Sequence, residues 1–297
     1  MGDDGPKDPP LGEEGAVRLL SEAMPELRWS SLRYVDAGWD HEVLLLDDRL
    51  TVRFPNEEHY RRMLDAERVV IDRLAGRSRV ALPRVRAIDP DRRFSVHDFV
   101  PGEQLTPARL LALSAPDRDE VADALAGLLS ALHGLDPSVL PPGTPSWTVP
   151  EEHVEVRRLA ASGLPALLGP VELRLVDEVL DDVPALLAES PPPVLVHGDV
   201  YEDHLLHDPA TGRLGLIDFS DLAVGDPAID FAELIDYGRP FLEDVVRRYG
   251  GDEALTDRAI RYGRWLAVYL MTDHLVSAKT SFAEARIPFD RRVGSDG

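Results

Sequence analysis

Residues 194–221 read VLVHGDVYEDHLLHDPATGRLGLIDFSD. The stretch opens as a short apolar strand, passes through a polar loop from His197 to His204, and continues as a hairpin. Leu205-Leu206-His207 is one arm, Asp208 to Gly212 the turn, and Arg213 to Ile217 the other arm. Pro and Gly inside a polar run between two apolar runs mark such a turn. Asp218 follows the second arm at once, so Asp199 and Asp218 are expected to lie near each other at the mouth of one hairpin. Two carboxylates held there can accept a proton and hold a divalent metal.

The spacing H-G-D-x-x-x-x-H, followed by Asp218-Phe219-Ser220, resembles the kinase catalytic loop H-R-D-x-x-x-x-N and its metal loop D-F-G. Gly198 after the histidine, and GDPAIDF at 225–231, resemble the aminoglycoside phosphotransferase family of antibiotic kinases. The resemblance is to the branch of 2''-aminoglycoside and macrolide kinases that also carry His at the end of the loop. It implies an α+β, two-lobed protein-kinase-like fold. The N-lobe would be a five-stranded antiparallel sheet with helices, and the C-lobe mainly helical with the catalytic hairpin. Residues 1–101 would form the nucleotide-binding lobe, with 1–13 disordered, and 102–297 the catalytic and substrate-binding lobe. By the same resemblance Asp199 is the catalytic base and Asp218 a ligand of Mg²⁺, with ATP or GTP as donor. His204 stands where the family usually has Asn, a position shared by catalysis and metal binding. Imidazole suits Mg²⁺ poorly, so His204 is alternatively expected to orient Asp199 or a phosphate.

Composition bounds the rest. The chain has 297 residues, 44% of them hydrophobic, enough for a real core. It has no cysteine, which removes thiolate catalysis and Cys-based metal sites. No apolar run approaches ~18 residues, and MGDDGPKDPPLGEEG has neither the basic nor the apolar region of a signal peptide. Pro6 occupies the place where a myristoylation motif needs Ser or Thr. A cytoplasmic protein is expected. The net charge of −22 argues against nucleic acid and anionic membrane as partners. It is compatible with a cationic substrate, although a solvated acidic surface explains most of it. Lysine occurs only at 7 and 279, neither after Gly, so no Walker A loop exists and any cation on a phosphate must be Arg or His.

Upstream, a helix is predicted from Glu14 to Met24, then strands at Leu32–Val35, Glu42–Leu46 and Leu50–Phe54. The turn that holds Gly38, in GWDHEVLLL, resembles a nucleotide-covering loop. Arg53 lies on the third strand, where a kinase carries the lysine of its α/β-phosphate contact. Arginine keeps the charge and changes the geometry. The helix from Glu57 to Leu74 has one apolar stripe, Tyr60, Leu64, Ile71 and Leu74, and Glu67 falls inside it. A carboxylate on a buried face needs a partner, and Arg53 is the candidate. Val80–Ile88 and Arg93–Val100 are expected to complete the sheet, with the segment around His97 and Phe99 offering backbone groups to a purine.

From Thr106 the pattern turns helical. Val121, Leu125, Leu128 and Leu132 form a stripe that ends near Gly134, and a further stretch from Val154 to Leu187 is broken at Gly163, Pro165 and Gly169-Pro170. Helices follow at Asp230–Tyr237, Phe241–Tyr249 and Ala254–Ala278, and the tail RRVGSDG is expected to be disordered. Acidic side chains that could meet a hydroxylated small-molecule substrate bearing amines are Glu202, Asp203, Asp221, Glu233 and Asp236. Apolar walls for a macrolide would be Tyr237, Phe241, Trp265 and Tyr269.

Three other readings compete. A transition-metal site could use His197, Asp199, His204 and His207, but their spacing is not specific to a metal. A serine hydrolase needs a G-x-S-x-G elbow, which is missing. A kinase fold that only binds ligands is suggested by Arg53 and His204 and opposed by the retention of Asp199 and Asp218. A metabolic kinase of an amino sugar or amino alcohol fits the same residues.

Overall fold

The structure is a computed structural model that describes residues 9–35, 41–140, 149–277 and 280–294. Their contacts form two compact units. The first comprises the described residues of Met1–Leu105, Ser138–Gly143 and Asp203–Leu222, and the second those of Thr106–Pro137, Thr144–Glu202 and Ala223–Gly297. The hairpin that follows Asp203 therefore clusters with the first unit.

In the first unit, β1 (Leu32–Val35), β2 (His41–Leu46), β3 (Leu50–Pro55), β4 (Val85–Ile88) and β5 (Ser95–Asp98) form one antiparallel sheet in the order β1-β2-β3-β5-β4. Strand side chains alternate between faces. Leu44, Leu46, Val52, Phe54, Phe94 and Val96 share one face and bury Ala16 and Leu20 of α1 (Gly12–Ala23). Arg53, between Val52 and Phe54, turns to the other face and meets α2 (Glu58–Leu74). The β2–β3 turn places Asp47 and Asp48 at positive φ, as a two-residue hairpin turn requires. The Asp47 carboxylate takes the N–H groups of Ser30 and Ser31 at 2.9 and 2.7 Å.

Three expectations change here. Helix α1 begins at Gly12, not Glu14, because a carboxylate from β2 satisfies its first N–H groups: Leu11 and Gly12 donate to Glu42 at 2.7 and 2.9 Å. The strand predicted from Val80 starts only at Val85, since Ala81 bridges to Gly215 instead. A short strand β6 (Glu103–Gln104), not foreseen, pairs with Leu205–His207, which pairs in turn with Leu214–Leu216.

The second unit is mainly helical. It contains α3 (Pro107–Ala112), α4 (Ala115–His133), α5 (Val149–Gly163), α6 (Pro170–Ala188), α7 (Arg239–Tyr249), α8 (Glu253–Ser277), α9 (Phe282–Ala285) and α10 (Ile287–Arg292). Ser114 caps α4 by accepting the Asp117 N–H, and the stripe Val121, Leu125, Leu128, Leu132 is fully buried. Val194–Val196 pairs antiparallel with Ala223–Gly225. The segment Pro227–Tyr237 is a 3₁₀ helix that starts three residues before the predicted Asp230. Asp226 starts it by accepting the Ala228 N–H at 2.9 Å. Helix α8 packs closely on this segment at Gly263, where a Cβ would come within 2.4 Å of the Ala232 carbonyl oxygen. The tail is a correction: Arg291 and Arg292 close α10, and Arg292 is buried. No helix of the described residues is long and apolar enough to cross a membrane.

Candidate functional site

In the first unit one guanidinium organises the polar interior. Arg53, 7% exposed, donates from NH1 to Glu67 Oε2 at 2.9 Å, and from NH2 to Asp218 Oδ1 and to His41 Nδ1, the latter at 3.2 Å. The strand alternation that buries Val52 and Phe54 on one side aims Arg53 to the other. The 3.6-residue period of α2 aims Glu67 back at it. Burial pushes the Glu67 carboxyl up to about 7, while the Arg53 charge pulls it down and Asp218 pushes it further up. Burial also works to raise Asp218. The charges of Arg53 and His204 and the hydroxyl of Ser220 outweigh it and hold Asp218 far below the carboxylate range. Ser220 Oγ donates to Asp218 Oδ1 at 2.6 Å, and Asp218 itself adopts a left-handed φ of 62°. His204 Nε2 lies 3.8 Å from Asp218 Oδ2.

His41 was not a candidate from sequence. Burial, reinforced by Arg53, lowers its pKa well below the ordinary value. A guanidinium can only donate, so Nδ1 of the neutral ring accepts from Arg53 and the ring proton sits on Nε2. That buried N–H meets no acceptor among the described residues.

The segment expected to face a purine is partly committed elsewhere. His97 is 1% exposed, and its ring spans Pro83 and Ser95. Because a carbonyl oxygen only accepts, Nδ1 donates to Pro83 O at 3.1 Å and Nε2 accepts from Ser95 Oγ at 2.7 Å. The N–H groups of Asp98 and Phe99 already donate to Arg84 O and Arg49 O. The His97 ring and the N–H groups of Asp98 and Phe99 are therefore already engaged. The next N–H groups along the chain are those of Val100 and Gly102, Pro101 having none. Gly38 lies outside the described residues.

Burial, together with the nearby Arg53 charge, holds the His97 pKa near 4 against an ordinary 6.5. Between those values the unfolded chain binds the proton and the folded chain does not, so stability rises with pH across the window. We expect stability to fall as pH drops from 6.5 towards 4. Replacing His97 by Gln should flatten that slope in urea titrations run across the same range. An unchanged slope in the variant would show that His97 does not carry it.

In the second unit, Asp230 explains what the run 225–231 does physically. It is fully buried and accepts from the backbone N–H of His197 at 2.9 Å and of Gly198 at 2.8 Å. His133 Nε2 approaches the same carboxylate at 2.9 Å, and His133 Nδ1 meets the Tyr249 hydroxyl at 2.9 Å. Burial alone would raise the Asp230 pKa, but the His133 hydrogen bond and charge and the His197 N–H keep it below the ordinary value. The two residues before Asp199 are thus fixed by a buried anion, and the Asp199 N–H points at His197 Nδ1, 3.3 Å away. Asp226 of the same run pairs with Arg258 at 3.0 Å.

The acidic candidates separate. Glu233 and Asp236 are both held by Arg292, at 2.7 and 2.8 Å. Asp203, exposed, takes a hydrogen bond from the Gln104 amide at 2.9 Å. Glu202 and Asp221 are half-buried. Of the aromatic candidates, Tyr237 and Trp265 belong to the core, while Phe241 and Tyr269 are half-buried beside them. Sequence reasoning could have found Asp230 from its place in the 225–231 run. Nothing in the sequence marked His41, His133 or Arg292.

A divalent cation fits this donor set in one way. No group of three or more His, Asp or Glu side chains among the described residues could hold a metal alone. Mg²⁺ commonly takes one or two carboxylates and completes its octahedron with phosphate oxygens and water. The Asp218 carboxylate, kept ionised, suits that role better than the His204 imidazole does.

The model of the phosphotransferase enzyme family (APH) matches residues 31–264. Among solved structures, the GDP complex of an aminoglycoside 2'-phosphotransferase-IIIa is similar at 18% identity, with 96% of this chain and 100% of that chain covered and a TM-score of 0.83. A choline/ethanolamine kinase family protein from Mesorhizobium loti is similar at 19% identity, 95% and 93% coverage and a TM-score of 0.70. A macrolide 2'-phosphotransferase type I is similar at 21% identity, 95% and 98% coverage and a TM-score of 0.62. At these identities the likeness carries the fold: a kinase-like architecture with a five-stranded antiparallel sheet and a helical remainder.

Proposed function

The chain belongs to the phosphotransferase enzyme family, and from that membership we propose that it is a kinase that transfers the γ-phosphoryl group of ATP or GTP to a hydroxyl of a small molecule. The acceptor is an antibiotic such as an aminoglycoside or macrolide; the alternative is a metabolite, an amino sugar or amino alcohol, to which the likeness to a choline/ethanolamine kinase family protein lends support. The observation that carries the reading is the cluster of buried Arg53 and Glu67 with half-buried Asp218, which keeps a cation and an ionised carboxylate side by side. Such a pair is costly to bury and is what a nucleotide's phosphates and their Mg²⁺ require.

In this reading Arg53 steadies the α/β-phosphates and Glu67 fixes the guanidinium plane. Asp218, with His204 beside it, would hold Mg²⁺, which supplies charge neutralisation on the β- and γ-phosphates when bound. Asp199 accepts the proton of the acceptor hydroxyl as its oxygen bonds to the γ-phosphorus and the bond to the nucleoside diphosphate breaks. Catalysis is then mainly positioning and electrostatic stabilisation. His197 and Asp230 hold the base. Glu202, Asp203 and Asp221 remain candidate substrate contacts.

The test is nucleotide consumption by the purified protein with Mg²⁺, run with ATP and GTP separately. The acceptors would be aminoglycosides, macrolides, amino sugars and amino alcohols, with mass spectrometry of the product. Acceptor-dependent turnover with a phosphate on an acceptor hydroxyl is the expected result. Failure to bind either nucleotide would overturn the reading.

A further inference from the structure

Glu233 and Asp236, on the 3₁₀ segment, are engaged from the far end of the chain, chiefly by Arg292, with Arg291 NH1 also 3.8 Å from Asp236 Oδ2. Arg292 forks onto Asp236 through Nε and NH2 at 2.8 and 2.7 Å, and NH2 also donates to Glu233 Oε1 at 2.7 Å. Its NH1 reaches the Gly263 carbonyl at 3.4 Å. The Arg292 side chain is 4% exposed, and the Glu233 and Asp236 side chains 15% and 13%. Burial raises the Glu233 pKa, Arg292 opposes the rise, and the negative charge of Asp199 adds to it. Glu233 therefore lies within electrostatic reach of Asp199.

An acceptor rich in ammonium groups needs unspent carboxylates around the base. Here two of the five acidic candidates are ion-paired to an internal guanidinium, bidentate on Asp236 and through one N–H on Glu233. Withdrawing that guanidinium would strand buried charge on both sides. A fixed cation beside Glu233 also repels an incoming ammonium, so the same residue removes an attraction and adds a repulsion.

We propose that Arg292 is a specificity-determining residue that closes Glu233 and Asp236 to polyamines, and that the acceptor is a hydroxylated molecule carrying at most one positive charge. The proposal rests on the phosphotransferase reading for the location of the acceptor. Among antibiotics it favours macrolides over aminoglycosides, and among metabolites it admits amino alcohols.

The experiment is calorimetric titration of kanamycin, as a polyamine probe, and erythromycin, as a single-amine probe, into the full-length wild type, Arg292→Gln and Arg292→Lys. Melting curves and nucleotide titrations are recorded on the same samples. The expected result is kanamycin binding to wild type and Arg292→Lys that is weak, with a Kd above about 1 mM, and binding at least about tenfold tighter in Arg292→Gln, the effect of one new charge-assisted contact. Kanamycin binding to wild type at about micromolar affinity overturns the proposal, whether or not Arg292→Gln folds. So does a folded Arg292→Gln that gains nothing. Absence of nucleotide binding would instead defeat the kinase reading, and the kanamycin arm reports on Arg292 independently of it.

Discussion

Replacing Asp199 by Asn is expected to lower acceptor phosphorylation by about 10²–10⁴-fold, the range a positioned general base contributes. Nucleotide affinity and melting temperature should stay near wild type. Asn keeps the size of the side chain and the backbone contact to His197, so the change removes the proton-accepting carboxylate and its charge. Single-turnover kinetics with saturating nucleotide separates the chemical step from release. An Asn variant that retains more than about a tenth of the wild-type chemical rate would show that Asp199 is not the base.

Replacing Asp230 by Ala should have the largest structural effect. Its carboxylate is fully buried and receives two backbone N–H groups and one imidazole. Truncation leaves those groups in the interior without a partner, at a cost of roughly 3–5 kcal/mol. The same change releases His197 and Gly198, the residues that lead into Asp199. A displacement of about 1 Å at a catalytic group costs on the order of 10²-fold in rate. Urea denaturation and kcat, measured on the same protein, test the two effects separately. Asn at this position retains one acceptor oxygen and should lose less of both. A destabilised Ala variant with an unchanged kcat would leave Asp230 a structural residue with no hold on the base.

The parts of the fold legible in the sequence were those whose signals are local. The short apolar run Leu50–Phe54 placed Arg53 on the third strand. The helical stripe from Tyr60 to Leu74 placed Glu67, and the turn at Asp208–Gly212 placed the hairpin. Signals that depend on a partner far along the chain were silent. Nothing near Gly12 announces that Glu42 supports the start of α1, and nothing near Arg292 announces Glu233 and Asp236. A run such as RRVGSDG looks solvated because its composition is polar, yet Arg292 is buried by ion pairs formed across more than fifty residues. The engagement of N–H groups in the segment expected to face a purine was silent for a related reason. Strand pairing consumes the N–H groups of Asp98 and Phe99, and register is a tertiary property.

The grip of Glu42 on the amino-terminal helix has a practical corollary. An affinity tag joined ahead of Pro9 leaves the anchor intact. A truncated chain that starts at Glu14, the boundary the hydrophobic pattern suggests, deletes both N–H groups that Glu42 receives. The Tyr34 hydroxyl would then be left as its described donor. The loss falls on β2, the strand that carries His41 and lies directly beside Arg53. Trimming the amino terminus to aid crystallisation would therefore loosen the sheet from the side where a nucleotide is expected.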